Sequence, residues 1–399
     1  MRETNFSLAT LPLPWYPHRH GHHTETPNAR MLVSLAAMAV APRPNILFLM
    51  CDSMDGRVVD PTSPVSKFVA TPNLDRLAGE GVNFIRTYAA SPQCVPSRTT
   101  MLAGRRIDQI RAFDNGNGLA ADPSAPGKLD SNCVYKFDRK TCEHWAATQR
   151  VNSSFFDALS AVYATDEDEN KCTLCIMGKV DIGMNEGSRW GPHVNGGNND
   201  GFHGGPRLNI LTRAADIRKP TKPNPRTITN DRDDRVHPED WKTTDYCIDW
   251  LHAKGAAHRS GHAPSSPWFL YCSLNIPHPP FHTNGTWLQS VDQPAVRARP
   301  PRWGDLTRYH PHDAYMTTSK AMAGDFSDEA VFLVRRTYYA MVAETDYLMG
   351  QVLDAARASG TYDDTLVLFL SDHGEMNMEH RQVYIHLYIY ISSCPIMGR

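Results

Sequence analysis

No apolar run in the sequence approaches the roughly 18 residues that a membrane-spanning helix needs, which excludes a multipass membrane protein. Charge of one sign is also missing: 41 Lys and Arg stand against 43 Asp and Glu, a formal charge of −2. Without a basic excess there is no electrostatic footprint for nucleic acid, and no nucleic-acid partner is expected. Cysteine is sparse and odd in number, nine in 399 residues, which excludes a disulfide scaffold and leaves at least one thiol unpaired or chemically altered. What is present is a soluble, globular composition, 41% hydrophobic with a mean hydropathy of −0.45. A chain of this length buries roughly 75% of its unfolded surface, in one large α/β domain or two ordinary ones.

Residues 1–43 read as an N-terminal extension, rich in Pro and His (His18, His20, His22, His23) and disordered by composition. Within it, residues 31–41 form a short apolar run after Arg30 that fits the apolar stretch of a secretory signal, although it lies far inside the chain. Sequons at Asn5, Asn152 and Asn284 are compatible with a secretory route, lysosomal or secreted. A polar insertion covers about 114–149; its Cys133 and Cys142 can pair in an oxidising compartment. Cys172 and Cys175 have redox or zinc spacing, but no second pair follows and they enter a strand-like run, so buried core thiols are expected.

The folded domain is expected over 44–382. Uninterrupted apolar runs at Asn45–Met50, Trp268–Leu274 and Thr365–Leu370 predict strands buried on both faces, and Cys175–Met177 a further one. Val82–Ile85 reads as a short strand. Thr71 and Pro72 are placed as N-cap and first residue of a helix. Apolar spacing from Ser327 to Ser359, closed by Gly360, predicts a long helix. Strands alternating with helices imply a mainly parallel α/β sheet covered on both faces.

In such sheets, sites form beyond the carboxyl ends of the strands. Asp52 and Asp372-His373 stand there, either as helix or turn caps or as hard ligands for Ca²⁺ or Mg²⁺. In Cys94-Val-Pro-Ser-Arg98, a helix beginning at Pro96 or Ser97 puts Cys94 and Arg98 at its N-terminus, where free N–H groups and a guanidinium favour an oxyanion. The alternative is a capping region with a buried thiol. Three residues between Cys and Arg, not five, exclude a tyrosine-phosphatase loop.

Cys94 to Arg106 resembles the signature of the type I sulfatases of the alkaline phosphatase superfamily. The segments 45–52, 71–77, Gly178-Lys179, Asn275–His278 and 371–374 follow in that family's order. The segments 52–57, 178–181 and 372–382 are most similar to its arylsulfatase K branch. The resemblance implies an alkaline-phosphatase-like fold and a sulfuric ester hydrolase acting on sulfated carbohydrate, such as glucuronate 2-sulfate in glycosaminoglycans, or on aryl sulfates. It implies that a formylglycine-generating enzyme oxidises Cys94 to formylglycine, whose hydrate attacks sulfur. Asp52, Cys94, Asp372 and His373 would surround one divalent cation, Ca²⁺. Arg98 would draw charge from the sulfate, and Lys179 and His278 would contact it or protonate the leaving alcohol. The runner-up readings are a phosphatase or phosphodiesterase using unmodified Cys94, and an inactive fragment.

Departures accompany the resemblance. Ser53 stands where most sulfatases have a second Asp, His373 where they have Asn, and Asp181 where they have His; all three are features of the arylsulfatase K branch. After Gln382 the expected Lys-bearing helix is replaced by an atypical tail, 383–399, that opens with an uncharged, β-prone run, 383–391, with Ile385 in place of the Lys. A truncated or mis-spliced sequence is the expectation, with an exposed sheet edge and poor folding.

Overall fold

The computed structural model describes residues 44–110, 155–160, 173–180, 228–229, 235–261, 267–279, 281–300 and 326–382, with isolated positions between 310 and 317. The N-terminal extension, the insertion at 114–149, Asp181, Cys133, Cys142, Cys172, Asn5, Asn152 and the tail with Ile385 lie outside the described residues.

The strands are β1 (Asn45–Cys51), β2 (Leu174–Gly178), β3 (Ile228–Thr229), β4 (Phe269–Ser273), β5 (Thr283–Asn284) and β6 (Thr365–Ser371). Four of them form one sheet in the order β2-β4-β1-β6, and every pairing is parallel. β3 and β5 form a separate two-stranded pair. The main helices are α1 (Pro72–Glu80), α2 (Cys94–Ala103), α3 (Pro238–Arg259) and α4 (Asp328–Ala358).

Alternation along each strand sends apolar side chains to both faces, which is why these strands read as continuous apolar runs. Leu47, Leu49, Cys175, Met177, Leu270 and Cys272 face a core completed by Cys247, Trp250 and Leu251 of α3 and by Val342, Met349 and Leu353 of α4. Phe48, Met50, Ile176, Phe269 and Tyr271 face the other, with Leu102 of α2. The five described cysteines, 51, 94, 175, 247 and 272, are buried thiols. No helix among the described residues is long and apolar enough to cross a membrane.

Register brings the site together. Met50 pairs with Ser273, Gly178 with Ser273, and Cys51 with Ser371. The four strands therefore end in nearly one row, and Asp52, Lys179, Asn275 and Asp372 follow within two residues of that row. Gly178 has φ +82, and a Cβ there would lie 2.0 Å from the Ser273 carbonyl oxygen. Only glycine lets β2 approach β4 so closely and still turn Lys179 toward the strand ends.

Several local expectations need correction. Val82–Ile85 is not a strand: Val82 is 68% exposed and has no strand partner. α2 starts at Cys94, with Gln93 as N-cap, rather than at Pro96 or Ser97. Thr71 occupies the N-cap position of α1 but makes no side-chain cap. That task passes to Asp346 of α4, whose carboxylate accepts from the N–H groups of Asn73 at 3.2 Å and Leu74 at 2.8 Å. Asn284 is fully buried, and its side chain caps Gly285–Leu288 by accepting from Thr286 and Trp287. The folded chain therefore offers no glycan acceptor at that sequon. α4 follows expectation closely, with Ser327 accepting from Ala330 N–H and Gly360 at φ +78 past its end.

Candidate active site

Four side chains from two strand-end segments and the first residue of α2 converge. The ligand atoms of Asp52, Cys94, Asp372 and His373 all lie within 4.8 Å of one another, and all four residues are buried. Cys94 Sγ is 3.3 Å from His373 Nε2 and 3.5 Å from Asp52 Oδ1. His373 Nε2 lies 3.7 Å from Asp52 Oδ1 and 3.8 Å from Asp372 Oδ1. On the far side of that ring, Nδ1 is 3.0 Å from the Gly374 carbonyl. A carbonyl only accepts, so Nδ1 carries a proton, and Nε2 is the ring nitrogen turned into the cluster.

Arg98 ties the cluster together from below. It is completely buried, and its Nε donates to Asp372 Oδ2 at 2.7 Å while Nη2 donates to Asp52 Oδ2 at 3.2 Å. Nη1 donates to the Lys179 carbonyl at 2.7 Å and to Ser273 Oγ at 3.1 Å. The expected arginine fork toward an incoming sulfate is not what the geometry provides. The guanidinium is engaged by two carboxylates and β-strand ends, because a buried cation between two buried anions is the arrangement that avoids unpaired charge.

Lys179 Nζ shares Asp52 Oδ2 with Arg98, at 2.7 Å, and lies 3.2 Å from Asn275 Oδ1. Burial alone would lift the Asp52 carboxyl, but the cationic neighbours, Lys179 foremost, outweigh it and hold the group well below the usual carboxylate range. Asp372 goes the other way, raised by burial and by the Asp52 charge against the pull of Arg98. Two adjacent carboxylates share one site, and their protons come off in separate steps. His278 is pushed down to about 3 by burial and by the Lys179 charge, so its imidazole is neutral. Its Nδ1 lies 2.5 Å from the Pro279 carbonyl.

Ser53, where a carboxylate was expected from most sulfatases, serves as a donor. Its Oγ donates to Asp52 Oδ1 at 2.8 Å and its N–H to Asp372 Oδ1 at 3.1 Å. Ser53 has φ 67, a left-handed conformation that costs a non-glycine residue about 1–3 kcal/mol. Tyr338 of α4 holds it there, donating to the Ser53 carbonyl at 2.9 Å and accepting from Asp55 N–H at 2.8 Å. Arg57 bridges Asp55 and Glu379, joining the segment after β1 to the segment after β6. Ser97 Oγ donates to the Asp372 carbonyl at 2.6 Å and docks α2 on the same place.

The donor set fits a divalent cation. Two carboxylates are hard ligands, one imidazole nitrogen faces inward, and the position of Cys94 completes the ring. Sequence reasoning placed Asn275 in a family segment, Ser273 in a strand and Tyr338 on a helix, but gave none of them a role at the site, because they act across long chain separations. It also passed over α3, although Pro238 at the first turn, Glu239 and Asp240 beside it, and His258 and Arg259 at the end are helix-start and helix-end signals.

Comparison with known proteins agrees with this geometry. The sulfatase family model matches residues 44–392. Arylsulfatase K of Bos taurus is 29% identical over 376 residues, covering 91% of this chain and 58% of the relative. Arylsulfatase K of Danio rerio is 29% identical, covering 86% and 56%. The chain thus spans somewhat over half the length of these curated relatives. Among solved structures, the phosphonate monoester hydrolase of Agrobacterium radiobacter superposes with a TM-score of 0.56 at 20% identity, over 88% of this chain and 67% of that one. The likeness of that enzyme is one of fold, an alkaline-phosphatase-like parallel sheet between helices. With the family match extending across the whole described domain and the strand-end cluster in place, the chain belongs to the sulfatase family.

Proposed function

We propose that the chain is a formylglycine-dependent sulfuric ester hydrolase of the arylsulfatase K type. The observation that carries this reading is the convergence of Asp52, Cys94, Asp372 and His373 within 4.8 Å at the strand ends, in a chain of the sulfatase family. Oxidation of Cys94 by a formylglycine-generating enzyme supplies, after hydration, an oxygen nucleophile toward sulfur. Asp52, Asp372, His373 and the side chain at 94 would hold the cation, calcium in this reading, which when bound draws charge from the sulfate oxygens.

The remaining residues have separable tasks. Arg98 pairs with both carboxylates and orients them. Lys179, whose ammonium pairs with Asp52 alone among the cluster carboxylates, meets the sulfate. His278, neutral at rest, takes up a proton only when an anion binds beside it, and then passes it to the leaving alcohol. The substrate proposed is a sulfated carbohydrate, glucuronate 2-sulfate of glycosaminoglycans, met in the secretory pathway.

The test is hydrolysis by the chain co-produced with a formylglycine-generating enzyme, assayed on an aryl sulfate and on the matching aryl phosphate. Sulfate release that vanishes in Cys94→Ala is expected. Faster cleavage of the phosphate, or undiminished turnover by Cys94→Ala, overturns the reading.

A further inference from the structure

Asp240 is a buried carboxylate in the first turn of α3, and none of the roles above uses it. Its Oδ1 accepts from the N–H of Asn275 at 2.5 Å and its Oδ2 from the N–H of Ile276 at 3.2 Å. One side chain thus clamps two consecutive amides of the segment that follows β4 and leads to His278. Asn275 in turn receives Lys179 Nζ on Oδ1 at 3.2 Å, and that Nζ is the one paired with Asp52. An ammonium group only donates, so this contact fixes which end of the Asn275 carboxamide is oxygen. The opposite end, Nδ2, is a buried donor with no hydrogen-bond acceptor among the described residues. A buried donor left without an acceptor is unfavourable unless a ligand supplies one.

We propose that Asp240 is a positioning residue: by clamping the Asn275 and Ile276 amides it sets the Asn275 carboxamide so that Oδ1 steadies Lys179 and Nδ2 is offered to the bound sulfate. This deepens the sulfate-ester reading of the site and rests on it. Burial raises the Asp240 carboxyl to about 6, even though the two amides pull it down. The ionisable groups facing it are His237, at the start of its own helix, and Glu344 of α4. Glu344 is itself held by Trp241 Nε1 at 2.7 Å and His237 Nδ1 at 2.6 Å. Protonation removes one of the two acceptors from the clamp, so sulfate affinity should fall as pH drops through about 6.

The experiment is calorimetric titration of the full chain with inorganic sulfate, beside aryl sulfate turnover, from about pH 5 to 8. Asp240→Asn should weaken sulfate binding about 10–100-fold and erase the acid limb. Asn275→Ala, which leaves the backbone clamp intact, should weaken binding similarly with little change in unfolding midpoint. The double variant should be no weaker than the worse single one. Wild-type affinity and pH profile in Asp240→Asn overturn the proposal, as does a loss of stability in Asp240→Asn while Asn275→Ala binds normally. If Asp240→Asn does not fold, wild-type affinity in Asn275→Ala overturns it alone. A wild-type chain that binds sulfate with these dependences but cleaves no sulfate ester supports the clamp and refutes the proposed function instead.

Discussion

Arg98→Met is the most informative perturbation of the buried charge cluster. It removes a cation whose Nε is 2.7 Å from Asp372 and whose Nη2 is 3.2 Å from Asp52, all three side chains being fully buried. Breaking one partner out of a buried ion pair costs about 3–5 kcal/mol, because the other charge stays buried. Asp52 keeps Lys179 at 2.7 Å, so the loss falls mainly on Asp372 and the lower end, about 3 kcal/mol, is expected. The pH dependence has a definite sign. Asp372 is already raised by burial, and losing Arg98 raises it further, so the folded variant retains a proton that the unfolded chain releases. A group with a raised folded pKa contributes stability present at low pH and lost as pH rises. The deficit of Arg98→Met against the wild type should therefore be larger at neutral than at mildly acidic pH. Added calcium should stabilise the folded variant by about 2.7 kcal/mol at a hundredfold excess over its Kd. Urea unfolding followed by tryptophan fluorescence, with chelator and with calcium, measures all three effects. A deficit below about 1 kcal/mol, or one that grows on acidification, would refute the reasoning.

Gly178→Ala places a Cβ 2.0 Å from a backbone oxygen at a positive φ, so it should cost more than about 4 kcal/mol and collapse the soluble yield; ordinary expression and an unchanged urea midpoint would contradict this. Asp346→Ala strips α1 of the carboxylate that caps Asn73 and Leu74. A loss of about 1–2 kcal/mol is expected from the same urea curves, and no shift would show that the cap is idle. Asp372→Ala should reduce calcium bound per chain, measured by equilibrium dialysis, to background, whereas the exposed Asp245→Ala should retain it; equal calcium in both would remove Asp372 from the ligand set.

The strands were legible because a strand buried on both faces leaves a continuous apolar run: β1, β4 and β6 lie within a residue or two of expectation. α4 was legible for a different reason, with Ser327 and Gly360 marking its ends by local backbone chemistry. Local pattern misled where exposure decided the outcome, as at Val82–Ile85, where apolar residues carry no strand. The candidate ligands were readable as strand-end polar residues, yet their partners were not. A sequence shows a guanidinium four residues after Cys94, but not that carboxylates 46 residues before and 274 residues after Arg98 would meet on it. Asp346 as a cap and Asp240 as a clamp belong to the same class: their acceptors face amides brought near only by the packing of α4 and α3.

The central claim is that residue 94, set among Asp52, Asp372 and His373, becomes the nucleophile by leaving the thiol state. Mass spectrometry of the peptide containing residues 87–98, from chain produced in a eukaryotic secretory host, tests it most directly. An aldehyde at position 94, trapped by a hydrazide reagent, is the predicted result. An intact thiol throughout, in protein that still releases sulfate from an aryl ester, would contradict the account.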